Sequence, residues 1–334
     1  MRALAAGFPT QLVDGFRAGL EIAAPATGRS TAVYAVGMGG SAIAADLARS
    51  VLAAETPLAL TSIRSPDLPR AVERKSRVVL VSYSGDTWET LRAYDAAGRV
   101  DAARVAITSG GALAARAERD GVPVLLLPPG LPPRASVGHV LGGLLGLLDP
   151  WFPESNESRV GRIAARLRRL LPQYASARGP AAAWARRFSG RLPTIYAESA
   201  FVAVARRWKT QIEENAKSLA LFDELPEVLH NSIVGWDAVG KAEARRFSVA
   251  LLEWAGAPPP TRRGLRQFER LLALRGVPVA SIELPPEDRL EAIATGVLLG
   301  DHVSLFLADR RRVDPSTTDA IGRLKSALAG PATR

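Results

Sequence analysis

The sequence predicts an α/β protein built on parallel sheets with helices on both faces, and three observations predict it. Short apolar runs of strand length, at residues 31–36, 58–63, 78–81, 105–107 and 122–127, alternate with segments of helical period. These runs are continuously apolar rather than alternating, the mark of strands covered on both faces. The strand, turn and helix pattern then restarts at residues 192–196, after a basic, Ala- and Arg-rich stretch. The expected organisation is a first domain over residues 1–153, a helical connector over 154–190 and a second domain over 191–334.

Residues 1–28 read as an amphipathic lead-in helix, with Leu12, Phe16, Leu20 and Ile22 near one face and a break at Pro25 and Gly28. The strand at 31–36 runs into Gly37-Met38-Gly39-Gly40-Ser41, followed by a helix carrying Ile43, Leu47, Val51 and Leu52. This glycine turn is not a dinucleotide fingerprint. The third glycine is missing from its place, and the strand at 58–63 ends without an acidic residue. What remains is a loop that lets the backbone approach some other ligand closely.

The strand at 78–81 breaks at Ser82-Tyr83-Ser84-Gly85-Asp86-Thr87 before Trp88 opens a helix. A helix N-terminus offers unpaired N–H groups and a partial positive charge, and Ser82, Ser84 and Thr87 add hydroxyl donors. The expected ligand is a phosphate. The strand at 105–107 leads into Thr108-Ser109-Gly110-Gly111, and the strand at 122–127 ends in Pro128-Pro129-Gly130. Hydroxyl and glycine turns thus fall at the carboxyl ends of parallel strands, where ligands bind in such sheets, so Ser41, Ser82, Ser84 and Thr87 are expected to converge. Arg134 follows two prolines at the start of an apolar helix over residues 137–148. It either faces the same crevice or lies on the surface.

In the second half the strand at 192–196 ends in Ala197-Glu198-Ser199, a turn with one carboxylate and no glycine, and a helix follows to about residue 212. A different role at this second crevice is expected. Then come Glu213-Glu214-Asn215-Ala216-Lys217, the stretch 225–237, strands at 247–252 and 277–282, and a long apolar helix over 290–308. Asp314-Pro315-Ser316-Thr317-Thr318 caps a last helix that carries Lys325.

Composition narrows the chemistry. The 334 residues, 47% hydrophobic and 23% charged, suffice for two domains. The absence of Cys excludes disulfides, thiolate metal sites and a thiol nucleophile. His139, His230 and His302 stand far apart, so neither a metal nor a metal-dependent cofactor is expected. The net charge of +10 comes from arginines scattered through the chain rather than interleaved with aromatics. Nucleic acid is therefore not an expected partner, whereas an anionic small molecule is. No uncharged apolar stretch reaches membrane-spanning length and no signal-peptide pattern opens the chain, so no membrane segment and a cytoplasmic location are expected.

The segments GMGGSAIAADL, SYSGDTWETL, LPPR, EENAK, LPEVLHNSIVGWD and VDP…LK, in this order over nearly the whole chain, resemble the bifunctional phosphoglucose/phosphomannose isomerases of the sugar-isomerase (SIS) domain superfamily. The resemblance implies two SIS domains, each a five-stranded parallel sheet sandwiched between helices, doubly wound and flavodoxin-like. It implies a homodimer with active sites shared between domains and subunits, acting on hexose 6-phosphates without a cofactor. Gly40, Ser41, Ser82, Ser84 and Thr87 would then hold the sugar phosphate. Glu214 would move the proton between C1 and C2 and Arg134 would stabilise the enediolate. His230, from the partner subunit, and Lys325 would open the ring, and Thr318 would admit the mannose epimer. The implied reaction converts glucose 6-phosphate, and mannose 6-phosphate, to fructose 6-phosphate.

The pattern is departed from at Leu229, where the family has Asn, and at Ser232, where it has Glu. Arg310-Arg311-Arg312-Val313 and Ser316-Thr317 also differ, and these changes bear on sugar specificity. Two other readings of the same cradle are a phosphosugar-binding regulator without chemistry and an aminosugar-phosphate isomerase.

Overall fold

The computed structural model describes residues 1–22 and 32–328. The expected helix break at Pro25 and Gly28, and Thr31 of the first expected strand, lie outside them. The chain opens with α1 (Arg2–Ala6) and α2 (Phe8–Glu21). The first sheet is built from β1 (Ala32–Gly37), α3 (Gly39–Glu55), β2 (Ala59–Ile63), β3 (Arg77–Val81), α4 (Trp88–Arg99), β4 (Ala103–Thr108), α5 (Gly111–Arg119) and β5 (Val124–Leu126), and α6 (Val137–Leu147) follows. All five expected strands are present, and they pair in parallel in the order β2-β1-β3-β4-β5. One connection departs from the expected alternation. Between β2 and β3 the chain crosses as turns instead of a helix, over a stretch interrupted by Pro66 and Pro69.

Strand order reverses between β1 and β3, where Gly37 lies in register with Val81. The two turns that leave these residues are therefore neighbours at the carboxyl edge, at the switch point where open α/β sheets bind ligands.

Helices α7 (Glu157–Ala175) and α8 (Pro180–Phe188) lead to the second half. There β6 (Leu192–Glu198), α9 (Val202–Ala216), β7 (Leu221–Leu225), α10 (Ser232–Ala238), α11 (Lys241–Ala244), β8 (Phe247–Trp254), α12 (Pro259–Leu274) and β9 (Val279–Leu284) build a parallel sheet in the order β7-β6-β8-β9. Its four strands among the described residues correct the expected five. After β9 the chain enters the 23-residue helix α13 (Arg289–Arg311) and then α14 (Asp319–Leu328), with no further strand between. The strand β7 was not expected either, because an edge strand carrying Asp223 and Glu224 shows no continuous apolar run.

A single hydrophobic cluster runs through both halves, from Ile43 and Leu47 on α3 and Leu144 on α6 to Trp208 on α9 and Val297 on α13. Helices α2 and α6 cross almost backbone to backbone. A Cβ on Gly142 or Gly146 would collide with the carbonyl oxygen of Leu12 or Phe16. Helix α13 has the length and composition of a membrane span, yet 94% of its apolar window is buried inside the fold, packed by α7, α8 and α9.

Candidate active site

The turns after β1 and β3 form the floor of the site. Gly39 takes a positive φ of +51° to start α3, and a Cβ on Gly40 would press on Pro133 O at 3.1 Å and Arg134 Cα at 3.2 Å. The missing side chain at Gly40 is what lets the helix N-terminus close on the segment that carries Arg134. Ser41, in the first turn of α3, is buried.

In the turn after β3, the buried Ser82 donates its hydroxyl to Thr87 Oγ1 at 2.9 Å, and Thr87 is the N-cap residue of α4. Ser84 is exposed and accepts from the Asp86 N–H at 3.3 Å. Asp86 itself turns away, accepting from Ala112 N at 2.9 Å at the start of α5. Tyr83 fixes the turn to the next loop, donating to Pro128 O at 2.7 Å and accepting from Leu131 N at 2.6 Å. Two helix N-termini and four hydroxyls, those of Ser41, Ser82, Ser84 and Thr87, thus share one edge of the first sheet, an arrangement suited to an anion.

Arg134 lies in a 3-10 turn, Pro133–Ser136, and is 4% exposed, so the surface alternative falls. Its guanidinium spreads in three directions. Nε donates to Asn215 Oδ1 at 2.9 Å, Nη2 donates to Pro315 O at 2.6 Å and Ser316 O at 3.2 Å, and Nη1 stands 3.5 Å from Glu214 Oε2.

The two carboxylates of the 213–214 pair divide here. Glu213 pairs with Lys209 at 2.6 Å, one turn back on α9, while Glu214 faces Arg134. Burial pushes the Glu214 carboxyl above its usual range, and the cations Arg134, Arg207 and Lys217 oppose that rise. Lys217 ends α9 in a left-handed conformation, φ 51°. Its ammonium donates to Glu214 O and to Thr317 O, both at 2.8 Å.

The structure therefore joins Arg134 and Glu214 across the two halves and sets Gly40 against Arg134. Thr318 is partly buried at the start of α14, where its carbonyl accepts from Ile321 N at 2.9 Å and Gly322 N at 3.2 Å. His230 is exposed after the turn Glu227–Leu229, and no contact described within this chain joins it to Glu214 or Arg134. Lys325 belongs to α14, but its side chain lies outside the described residues. Asn215 and Lys217 are the polar residues of this site that the sequence reading passed over, although both stand in the quoted EENAK segment. His139 and His302 are buried in α6 and α13.

Residues 177–328 match the family described as the bacterial phospho-glucose isomerase C-terminal SIS domain. Over 306 residues, 89% of each chain, the protein is 34% identical to the bifunctional phosphoglucose/phosphomannose isomerase of Caldicellulosiruptor bescii. The chain belongs to the bifunctional phosphoglucose/phosphomannose isomerase family. A second relative, the D-glucosamine-6-phosphate 4-epimerase of Sulfolobus acidocaldarius, is 31% identical over 77% of this chain and 83% of its own. In fold, the protein is similar to the tagatose-6-phosphate ketose/aldose isomerase of Escherichia coli, with a TM-score of 0.71 at 17% identity over 95% of both chains. For this member of the phosphoglucose/phosphomannose isomerase family, the C-terminal SIS match begins ahead of α8.

Proposed function

We propose that the chain interconverts glucose 6-phosphate, and mannose 6-phosphate, with fructose 6-phosphate by moving a proton between C1 and C2 through a cis-enediol(ate). The observation that carries this reading is the approach of Arg134 to Glu214, 3.5 Å apart beside the hydroxyl turns of a phosphoglucose/phosphomannose isomerase family member. The phosphate of the substrate is held by Ser41, Ser82, Ser84 and Thr87 with the N–H groups that begin α3 and α4, that of Gly40 included. That grip places C1 and C2 under the Glu214 carboxylate. Glu214 removes the proton from one carbon and returns it to the other, and Arg134 neutralises the charge that grows on the substrate oxygens meanwhile. Proton transfer between adjacent carbons calls for no redox cofactor and no metal.

His230 and Lys325 act on the ring oxygen. The exposed His230, set apart from Glu214 in its own chain, supports its service to a neighbouring subunit in a homodimer. Thr318 admits the mannose epimer. The first half is itself an SIS domain, and the protein works in the cytoplasm. The test is a coupled assay of purified protein on each hexose phosphate. Turnover of glucose 6-phosphate is the expected result, and folded protein that turns over neither epimer overturns the reading.

One relative named for glucosamine 6-phosphate supports a second reading, chemistry on an aminosugar phosphate. Glucosamine 6-phosphate consumed faster than glucose 6-phosphate in parallel assays would decide for it. Tight binding of fructose 6-phosphate without any turnover would instead mark a regulator.

A further inference from the structure

Besides the Nη2 bonds to Pro315 O and Ser316 O, Arg134 is held by two buried routes that meet at one aspartate. By the first, Asn215 accepts from Arg134 Nε at 2.9 Å and donates through Nδ2 to Ser304 Oγ at 2.9 Å, and Ser304 donates to the Asp301 carbonyl at 2.6 Å. By the second, Arg207 donates to the Arg134 carbonyl at 3.1 Å and forks onto the Asp301 carboxylate at 3.0 and 2.6 Å. Gln211 adds a third donor to Asp301, at 3.0 Å. Side chain and main chain of one arginine are thus tied separately to α13, with Asn215 and Arg207 each 1% exposed.

Burying an ion pair and an amide chain this deeply is a poor way to gain stability compared with apolar packing. What such a network does supply is orientation. A guanidinium free to move beside a carboxylate closes to a direct ion pair of about 2.8 Å. Arg134 is held short of that. Its Nε–H is committed to Asn215, and Nη1 remains 3.5 Å from Glu214 Oε2. The gap keeps the carboxylate from being neutralised by its own neighbour and leaves the guanidinium facing the space where substrate oxygens lie.

We infer that Asn215, anchored through Ser304 and backed by the Arg207–Asp301 pair, is a positioning residue that holds Arg134 off Glu214 so that the guanidinium serves the substrate. The inference rests on the isomerase reading above. The charged groups facing Glu214 are Arg134, Arg207, Lys217 and Glu213. When Asn215 is lost, the Nε–H of Arg134 is released and the guanidinium, pivoting on its Nη2 bonds to Pro315 O and Ser316 O, is the group among them that gains freedom to move closer.

The test is a double-mutant cycle of Asn215→Ala and Arg134→Ala, assayed by coupled turnover of glucose 6-phosphate across pH. Asn215→Ala should lower kcat by up to about 10²-fold, the order that a misplacement of 1 Å costs, with KM changed little. The acid limb of its kcat profile should move to lower pH as the ion pair tightens. In the Arg134→Ala background the same change should cost almost nothing more. Ser304→Ala, which cuts the tether one link further away, should show a smaller effect of the same pattern and serves if Asn215→Ala does not fold. Unchanged kcat, or a loss that is additive with Arg134→Ala and leaves the acid limb in place, overturns the inference. An isomerase reading in error shows itself separately, as an inactive wild type, whereas a fully active Arg134→Ala overturns the inference itself.

Discussion

Glu214 is pulled two ways, by burial that favours its neutral form and by three cations that favour its charge, and burial prevails. A base must be ionised to accept a proton. Activity is therefore expected to be lost on the acid side through a carboxyl value above the ordinary ~4.3. Glu214→Gln keeps the shape and removes the base, so kcat should fall by about 10² to 10⁴ with KM little changed, as steady-state kinetics would reveal. Unimpaired turnover in that variant removes Glu214 from the proton transfer. Glu198 makes a different prediction. At the end of β6 it is 7% exposed, and burial pushes its carboxyl up to about 7 against the pull of Arg289. Its folded value exceeds the unfolded ~4.3, so the folded state loses stability as pH rises from there to about 7. Glu198→Gln should accordingly raise Tm relative to wild type more at pH 8 than at pH 4.5, measured by thermal denaturation. Family likeness singled out Arg134 and Glu214, which the residues alone did not, and nothing in the sequence pointed to the contacts of Asn215 and Lys217. Arg134 meets partners 81 and 181 positions away, and no periodicity in a single chain encodes such a closure.

At the scale of elements, the turn after β3 depends on a glycine that sequence alone marked only as a breaker. Gly85 has φ +76°, and a Cβ there would strike the Gly110 carbonyl oxygen of the neighbouring turn. Gly85→Ala should push the two turns apart, raise KM for the phosphosugar by about tenfold or more, and lower Tm, a positive φ costing a residue with a Cβ about 1–3 kcal/mol. Unchanged kinetics would show that this turn does not hold the phosphate. The glycines of α6 predict stability loss without a kinetic signature. Gly146→Ala, in the crossing with α2, should cost about 1–3 kcal/mol or more in chemical denaturation and leave KM near wild type. The interior strands could be read because their faces are covered on both sides and their sequence shows it. Edge strand β7, half-exposed and carrying two acidic residues, shows no such run. The expected fifth strand of the second sheet came from family likeness and had no run of residues behind it.

For the whole molecule, the pairing of halves was the least legible feature. Hydrophobic periodicity tells which face of a helix is apolar but not what covers it. Here α3, α6, α9 and α13 pool their faces in one cluster. The outer rim of this joint is pinned by Arg159, which holds Glu55 at the end of α3 at 2.6 Å and Asp288 at the start of α13 at 2.7 Å. Because no apolar boundary separates the halves, calorimetry should record one cooperative transition rather than two. Each sheet also has a smaller cluster of its own on its other face, and two resolved peaks would mean that these, rather than the shared cluster, set the folding units.

The burial of α13 also bears on how the molecule is made. The helices it covers, α7, α8 and α9, precede it in the chain and leave the ribosome before it does. Until residue 311 has emerged, α7 can pack on α2 and α9 on α3 and β6, but the parts of their apolar faces that α13 covers stay open. The nascent chain must wait, collapsed or chaperoned, for a segment apolar enough to suit a bilayer and destined instead for the interior of a protein.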